Sequence, residues 1–170
     1  MMWRWGVRSV VGWFGGLVIS CALIADAPHV VIIQGEPEYG STRSMPELAR
    51  TMEAKLGVRT TLLRASRQEP SELPDLSILD EADLLVLFIR FRLASESQFE
   101  TLKSWFDQGK PAIAFRTTSH GFWEDKGWFV PFFGGHYKAH APNHEGTLVS
   151  IATDQREHPI LRGVDASFEI

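Results

Sequence analysis

The chain has 170 residues, 44% of them hydrophobic and 22% charged, with a formal net charge of −4. That length supports one domain with a sizeable core rather than two. Basic and acidic residues are interspersed along it, so the sequence lacks the concentrated positive face that nucleic acid requires.

Residues 1–27 read as a targeting segment. Arg4 and Arg8 precede an uncharged, mostly apolar run from Ser9 to Ala25, which is the order of a secretory signal. At about 17 residues the run is near the lower limit for crossing a bilayer, so an uncleaved membrane anchor is an alternative. Ala25-Asp26-Ala27 has the small-x-small cleavage pattern, although Pro28 disfavours processing there. Val18-Ile19-Ser20-Cys21 resembles a lipobox that would place a lipid on Cys21, and a mis-assigned start before a cytosolic protein is the remaining reading. The expectation is an exported protein, periplasmic or extracellular, that meets the membrane only through this segment. Cys21 is the single cysteine, so the domain expected over 28–170 has neither a disulfide nor a thiol nucleophile.

From His29 onward, strand and helix patterns alternate. The run 30-VVIIQ-34 is short, β-branched and stopped by Gly35, as a fully buried parallel strand is. A helix is expected over 44–57, with Ser44 and Glu47 as a capping box and Met45, Leu48, Met52 and Leu56 as its apolar stripe. A second strand follows at 58–63. Pro70 and Pro74 make 65–79 a loop or a broken helix. The run 83-DLLVLFI-89 is the most apolar of the domain and predicts a central strand. Ser95 and Gln98 form another capping box, opening a helix over 96–108 whose buried stripe is Phe99, Leu102, Trp105 and Phe106. A fourth strand occupies 112–115. Such alternation predicts an α/β fold with a doubly wound, mainly parallel sheet and helices on both faces.

In sheets of this kind ligands bind beyond the carboxyl ends of the strands, where strand order reverses. That rule gathers 35-GEPEYGS-41, 90-RFR-92 and 116-RTTSH-120. Glu36 follows the first strand directly and is expected to point into the crevice, with Tyr39 beside it. Arg90 and Arg92 share a face if the strand continues through them, and they suit an anion or a pairing with Glu36. Arg116 stands where a nucleophile often does, but no Cys or Gly-x-Ser-x-Gly elbow is present. Ser119 and His120 are adjacent and do not by themselves make a dyad. Arg116 suits a carboxylate, a phosphate or a sugar hydroxyl, or a structural ion pair with Glu36 or Glu38. His120 suits an acid/base or a ligand.

His136, His140 and His144 recur every four residues in 134-GGHYKAHAPNHEG-146. Imidazoles four apart on a helical turn can hold one divalent metal such as zinc. Here the glutamate of the zincin motif is missing, and Gly134, Gly135 and Pro142 oppose a continuous helix. Phe122, Trp123, Trp128, Phe129, Phe132, Phe133 and Tyr137 crowd the same region. Most belong to the core by this reading, and the remainder suit stacking on sugar faces.

The ordered set GEPEYGS, LDEADLLVLFIRFR, GKPAIAFRTTSHGF, GGHYKAH and HPILRGV resembles the ThuA-like (trehalose utilisation) family, in particular its secreted bacterial members. The resemblance covers residues 29–165. It implies a flavodoxin-like sheet within the class I glutamine amidotransferase-like superfamily, with Arg116 at the position of that superfamily's elbow cysteine, a departure that removes thiol chemistry. It also implies a role in the metabolism of trehalose and related sugars, through keto-sugars made by a partner oxidoreductase. Related proteins continue beyond HPILRGV with further strands and a helix, so the resemblance leads one to expect a C-terminally truncated domain.

The functional expectation is an exported sugar-processing enzyme. Glu36, Arg116 and His120 would be its catalytic residues, Tyr39, Arg90, Arg92 and Ser119 would contact substrate, and His136 and His140 would hold a metal. The alternatives are a non-catalytic sugar- or metal-binding module, and a hydrolase using metal-bound water.

Overall fold

A computed structural model describes residues 26–66, 68, 71–123, 130–135, 137–139 and 146–170. Residues 1–25, which hold most of the expected targeting segment and Cys21, lie outside the described residues, as do His136, His140 and His144.

Four strands form the central sheet: β1 (His29–Gly35), β2 (Arg59–Arg64), β4 (Leu84–Ile89) and β6 (Ala112–Ala114). All pairings are parallel and the order is β2-β1-β4-β6. Every residue of β1 is buried, which is what a β-branched run flanked on both sides requires. Its register is set against both neighbours, with Ile32 opposite Leu62 on one side and Val86 on the other.

Alternation along the strands divides the core in two. Val30, Ile32, Val86 and Phe88 pack with Met45 and Ala49 of helix α1 (Ser41–Leu56). Val31, Ile33, Leu85, Leu87 and Ile89 pack with Leu102 and Trp105 of helix α2 (Glu96–Asp107). One helix therefore covers each face. Full burial of an aliphatic side chain contributes about 1.5–3 kcal/mol, so both layers matter to stability. The chain is a mixed α/β protein with a mainly parallel central sheet, as the sequence pattern predicts.

The helix starts differ from the expected ones in an instructive way. The α2 box forms: Ser95 Oγ accepts from Gln98 N at 3.3 Å and Gln98 Oε1 accepts from Ser95 N at 3.0 Å. The α1 box at Ser44 does not form, because the helix begins three residues earlier. Gly40 provides the entry turn at φ 71°, and the buried Ser41 hydroxyl donates to Glu36 O while accepting from Gln34 Nε2 at 2.9 Å. Glu47 instead reaches Arg43 at 3.4 Å. Leu56 is 65% exposed and does not belong to the buried stripe.

The segment after β2 contains β3 (Ser71–Glu72) and a 3-10 helix at Ser77–Glu81. β3 pairs in parallel with β5 (Arg92–Leu93), so the third long strand stops at Ile89 rather than running through Arg92. Beyond a second 3-10 helix at Arg116–His120 come the short α3 (Val130–Phe133) and an antiparallel pair, β7 (Leu148–Ser150) with β8 (Ser167–Glu169). Among the described residues, no helix is long and apolar enough to cross a membrane.

Candidate functional site

β1 and β4 are neighbours, yet β1 connects through α1 to β2 on one side and β4 through α2 to β6 on the other. The two connections lead away from each other, so their carboxyl ends leave a notch at the reversal of strand order. Three loops meet over it.

The first loop leaves β1. Glu36 is fully buried, and its carboxylate accepts from the backbone N–H groups of Glu38 and, at 2.8 Å, Tyr39. The side chain expected to enter the crevice thus folds back to hold its own loop. What reaches the notch is Glu38 and Tyr39. Burying a carboxylate is tolerable only with such partners.

The second loop leaves β4. Phe91 has φ 46°, a left-handed backbone that a bulky residue adopts only when its surroundings impose it. The turn breaks strand alternation, so Arg90 and Arg92 do not share a face. Arg90 pairs with Glu38 at 2.6 Å and lies 4.7 Å from the Phe91 ring centroid. Arg92 is fully buried; its Nε donates to Arg90 O at 2.6 Å, and Nη1 donates to Ser66 O at 2.6 Å, to Gln68 O at 3.0 Å and to Ser71 Oγ. Arg92 therefore fastens loops, and its contacts explain why it does not line the notch.

The third loop is the 3-10 helix after β6. Thr117 and Thr118 donate their hydroxyls to Ile89 O and Leu87 O, each at 3.0 Å, which ties this helix to β4. Ser119 donates to Arg116 O at 3.2 Å and lies 3.5 Å from His120 Nδ1, too long for an activated nucleophile. Arg116 is exposed; its guanidinium sits 4.6 Å from the Tyr39 ring centroid and one N–H approaches the Tyr39 hydroxyl at 3.4 Å. No carboxylate among the described residues pairs with it.

These parts enclose a pocket of about 60 Å³. The β1 loop contributes Glu38 and Tyr39, the β4 loop Arg90 and Phe91, and the 3-10 helix Arg116, Thr117 and His120. Tyr137 closes it, with its ring 4.2 Å from that of His120. Of the residues singled out from sequence, Tyr39, Arg90, Arg116 and His120 converge here, whereas Glu36, Arg92 and Ser119 support from behind or beside. Phe91 and Glu38 escaped the sequence reading as site residues. The signal available for Glu38 was local: a carboxylate directly before a tight turn tends to accept from the amides two and three residues on, which commits Glu36 and releases Glu38.

A larger hollow of about 410 Å³ lies along α2, lined by Glu100, Trp105 and Lys110 among others. It gathers no strand ends, and its size reflects a shallow surface rather than converging chemistry. Among the described residues, no group of three His, Cys, Asp or Glu could hold a metal. Comparison with protein-family models, curated proteins and solved structures finds no match for the chain.

Proposed function

We propose that the chain is a ThuA-like protein of carbohydrate metabolism, acting on trehalose-type or keto-sugar substrates in the notch between β1 and β4. The observation that carries this reading is the convergence of Tyr39, Arg90, Arg116 and His120 on one pocket at the reversal of strand order. Hydroxyl, guanidinium and imidazole groups beside aromatic rings suit a polyol, which offers both hydroxyls and apolar CH faces. The strand order β2-β1-β4-β6 supports a flavodoxin-like, doubly wound fold.

In this proposal His120 is the acid/base, since both Glu36 carboxylate oxygens already accept from backbone amides. Arg90 and Arg116 stabilise negative charge developing on a carbonyl oxygen. The protein is exported by its N-terminal segment, and a partner oxidoreductase supplies the keto-sugar. A divalent metal such as zinc at His136 and His140 belongs to the same proposal, and no step above runs through it.

Saturation-transfer NMR with trehalose and with a 3-keto-glucoside tests the site. The expected result is transfer to sugar protons that is lost in Tyr39→Ala and in His120→Ala; no transfer to either sugar overturns the reading. Metal content of the parent and of a His136→Ala/His140→Ala variant tests the metal separately, with about one equivalent expected only in the parent.

A further inference from the structure

We propose that the ligand of this pocket carries an oxyanion, a carboxylate or a phosphate on a small polyol, and that Arg116 is its anchor. The inference rests on the carbohydrate reading and narrows its substrate class to sugars that carry an anionic group, with Arg116 holding that group and Arg90 left to face a carbonyl oxygen.

Three observations carry it. First, the pocket holds two guanidiniums and one carboxylate, and that carboxylate, Glu38, is paired with Arg90. The charge of Arg116 is left without an acidic counterpart among the described residues. Second, each guanidinium lies near an aromatic ring, Arg90 at Phe91 and Arg116 at Tyr39, at 4.7 and 4.6 Å. At Arg116, which has no acidic partner among the described residues, stacking occupies the flat face and leaves in-plane N–H groups for a forked contact, which matches a carboxylate or phosphate better than a single hydroxyl. Third, the pocket is compact, at about 60 Å³, and it meets an exposed rim where Arg116 stands and Tyr137 is 38% exposed, so an anionic head can sit inside with its polyol at the rim.

The test is calorimetric titration of the full chain, at low ionic strength, with D-glucose, D-glucuronate, D-glucose 6-phosphate and inorganic phosphate. Parent, Arg116→Gln and Arg116→Lys are compared, and circular dichroism confirms that the exposed substitutions leave the fold intact. Glucuronate or glucose 6-phosphate should bind at least about tenfold more tightly than glucose, the least expected of one charge-assisted hydrogen bond. That preference should vanish in Arg116→Gln and persist in part in Arg116→Lys. Which of the two sugars binds more tightly distinguishes carboxylate from phosphate. Equal binding of glucose and the anionic sugars overturns the inference while sparing the carbohydrate reading, and so does a preference that survives Arg116→Gln. Phosphate binding that depends on Arg116, without binding of any sugar, upholds the anion site and removes the carbohydrate reading. Absence of any anion binding overturns the inference whatever glucose does.

Discussion

The guanidinium of Arg90 meets the Glu38 carboxylate at 2.6 Å and so joins the end of β4 to the loop leaving β1. Glu38 is about half exposed, and such pairs contribute at most about 1 kcal/mol to stability. Its greater effect is on the charge of the pocket. Glu38→Gln should leave the denaturation midpoint nearly unchanged and tighten inorganic phosphate binding several-fold, with a steeper dependence on salt. Weaker phosphate binding in the variant would show that Glu38 orders Arg90 instead of competing with the ligand.

Arg92 is expected to behave in the opposite manner. Its buried guanidinium serves four acceptors, three of them backbone carbonyls. Arg92→Ala should cost about 3 kcal/mol or more, since carbonyls lose a charged donor. Urea denaturation measures it. A loss below 1 kcal/mol would mean that water replaces the side chain without penalty.

Phe91 separates backbone strain from side-chain packing. Its φ of 46° favours glycine, while its ring contacts His120 and Trp123 at centroid distances of 5.4 and 5.5 Å. Phe91→Gly and Phe91→Ala both delete the ring, but only alanine keeps the strain. The glycine variant should be the more stable of the two by about 1 kcal/mol. Equal stabilities would indicate that the turn relaxes once the ring is gone.

At Gly121 there is no space to spare. An added Cβ would stand 2.7 and 2.8 Å from Ile89 side-chain atoms and 3.0 Å from Thr118 O. Gly121→Ala should destabilise by about 2 kcal/mol through overpacking, with a lower Tm by calorimetry. An unchanged Tm would show that the 3-10 helix can shift away from β4.

Trp105 is 3% exposed, and its indole N–H has no hydrogen-bond partner among the described residues. Trp105→Phe removes no hydrogen bond and should cost only about 1 kcal/mol, against about 4 for Trp105→Ala. Equal losses from the two variants would reveal a bond to the indole nitrogen in solution.

What sequence could reveal here follows from the range of the forces involved. Strand–helix alternation and the Ser95–Gln98 box are local, and both are legible. The start of α1 is not, because Ser41 is held by Gln34 and Glu36 across a turn. The strand-end rule gathers three loops that do meet over the notch. Within two of them the expected roles did not hold: Glu38 lines the notch in exchange for Glu36, and Arg92 is not the equal of Arg90. In the first case the Glu36 carboxylate turned back to the amides of Glu38 and Tyr39, and in the second a turn at Phe91 overrode the alternation on which the expectation rested.

That exchange has a consequence for how such a chain can change over generations. In each of the first two loops, one acidic or basic residue is locked into the framework and another of like charge, two positions away, faces the notch. Losing the inner member would jeopardise the whole molecule, whereas the outer one can be replaced almost freely. Glu38, Arg90 and Arg116 can therefore drift toward new ligands while Glu36 and Arg92 preserve the frame that displays them.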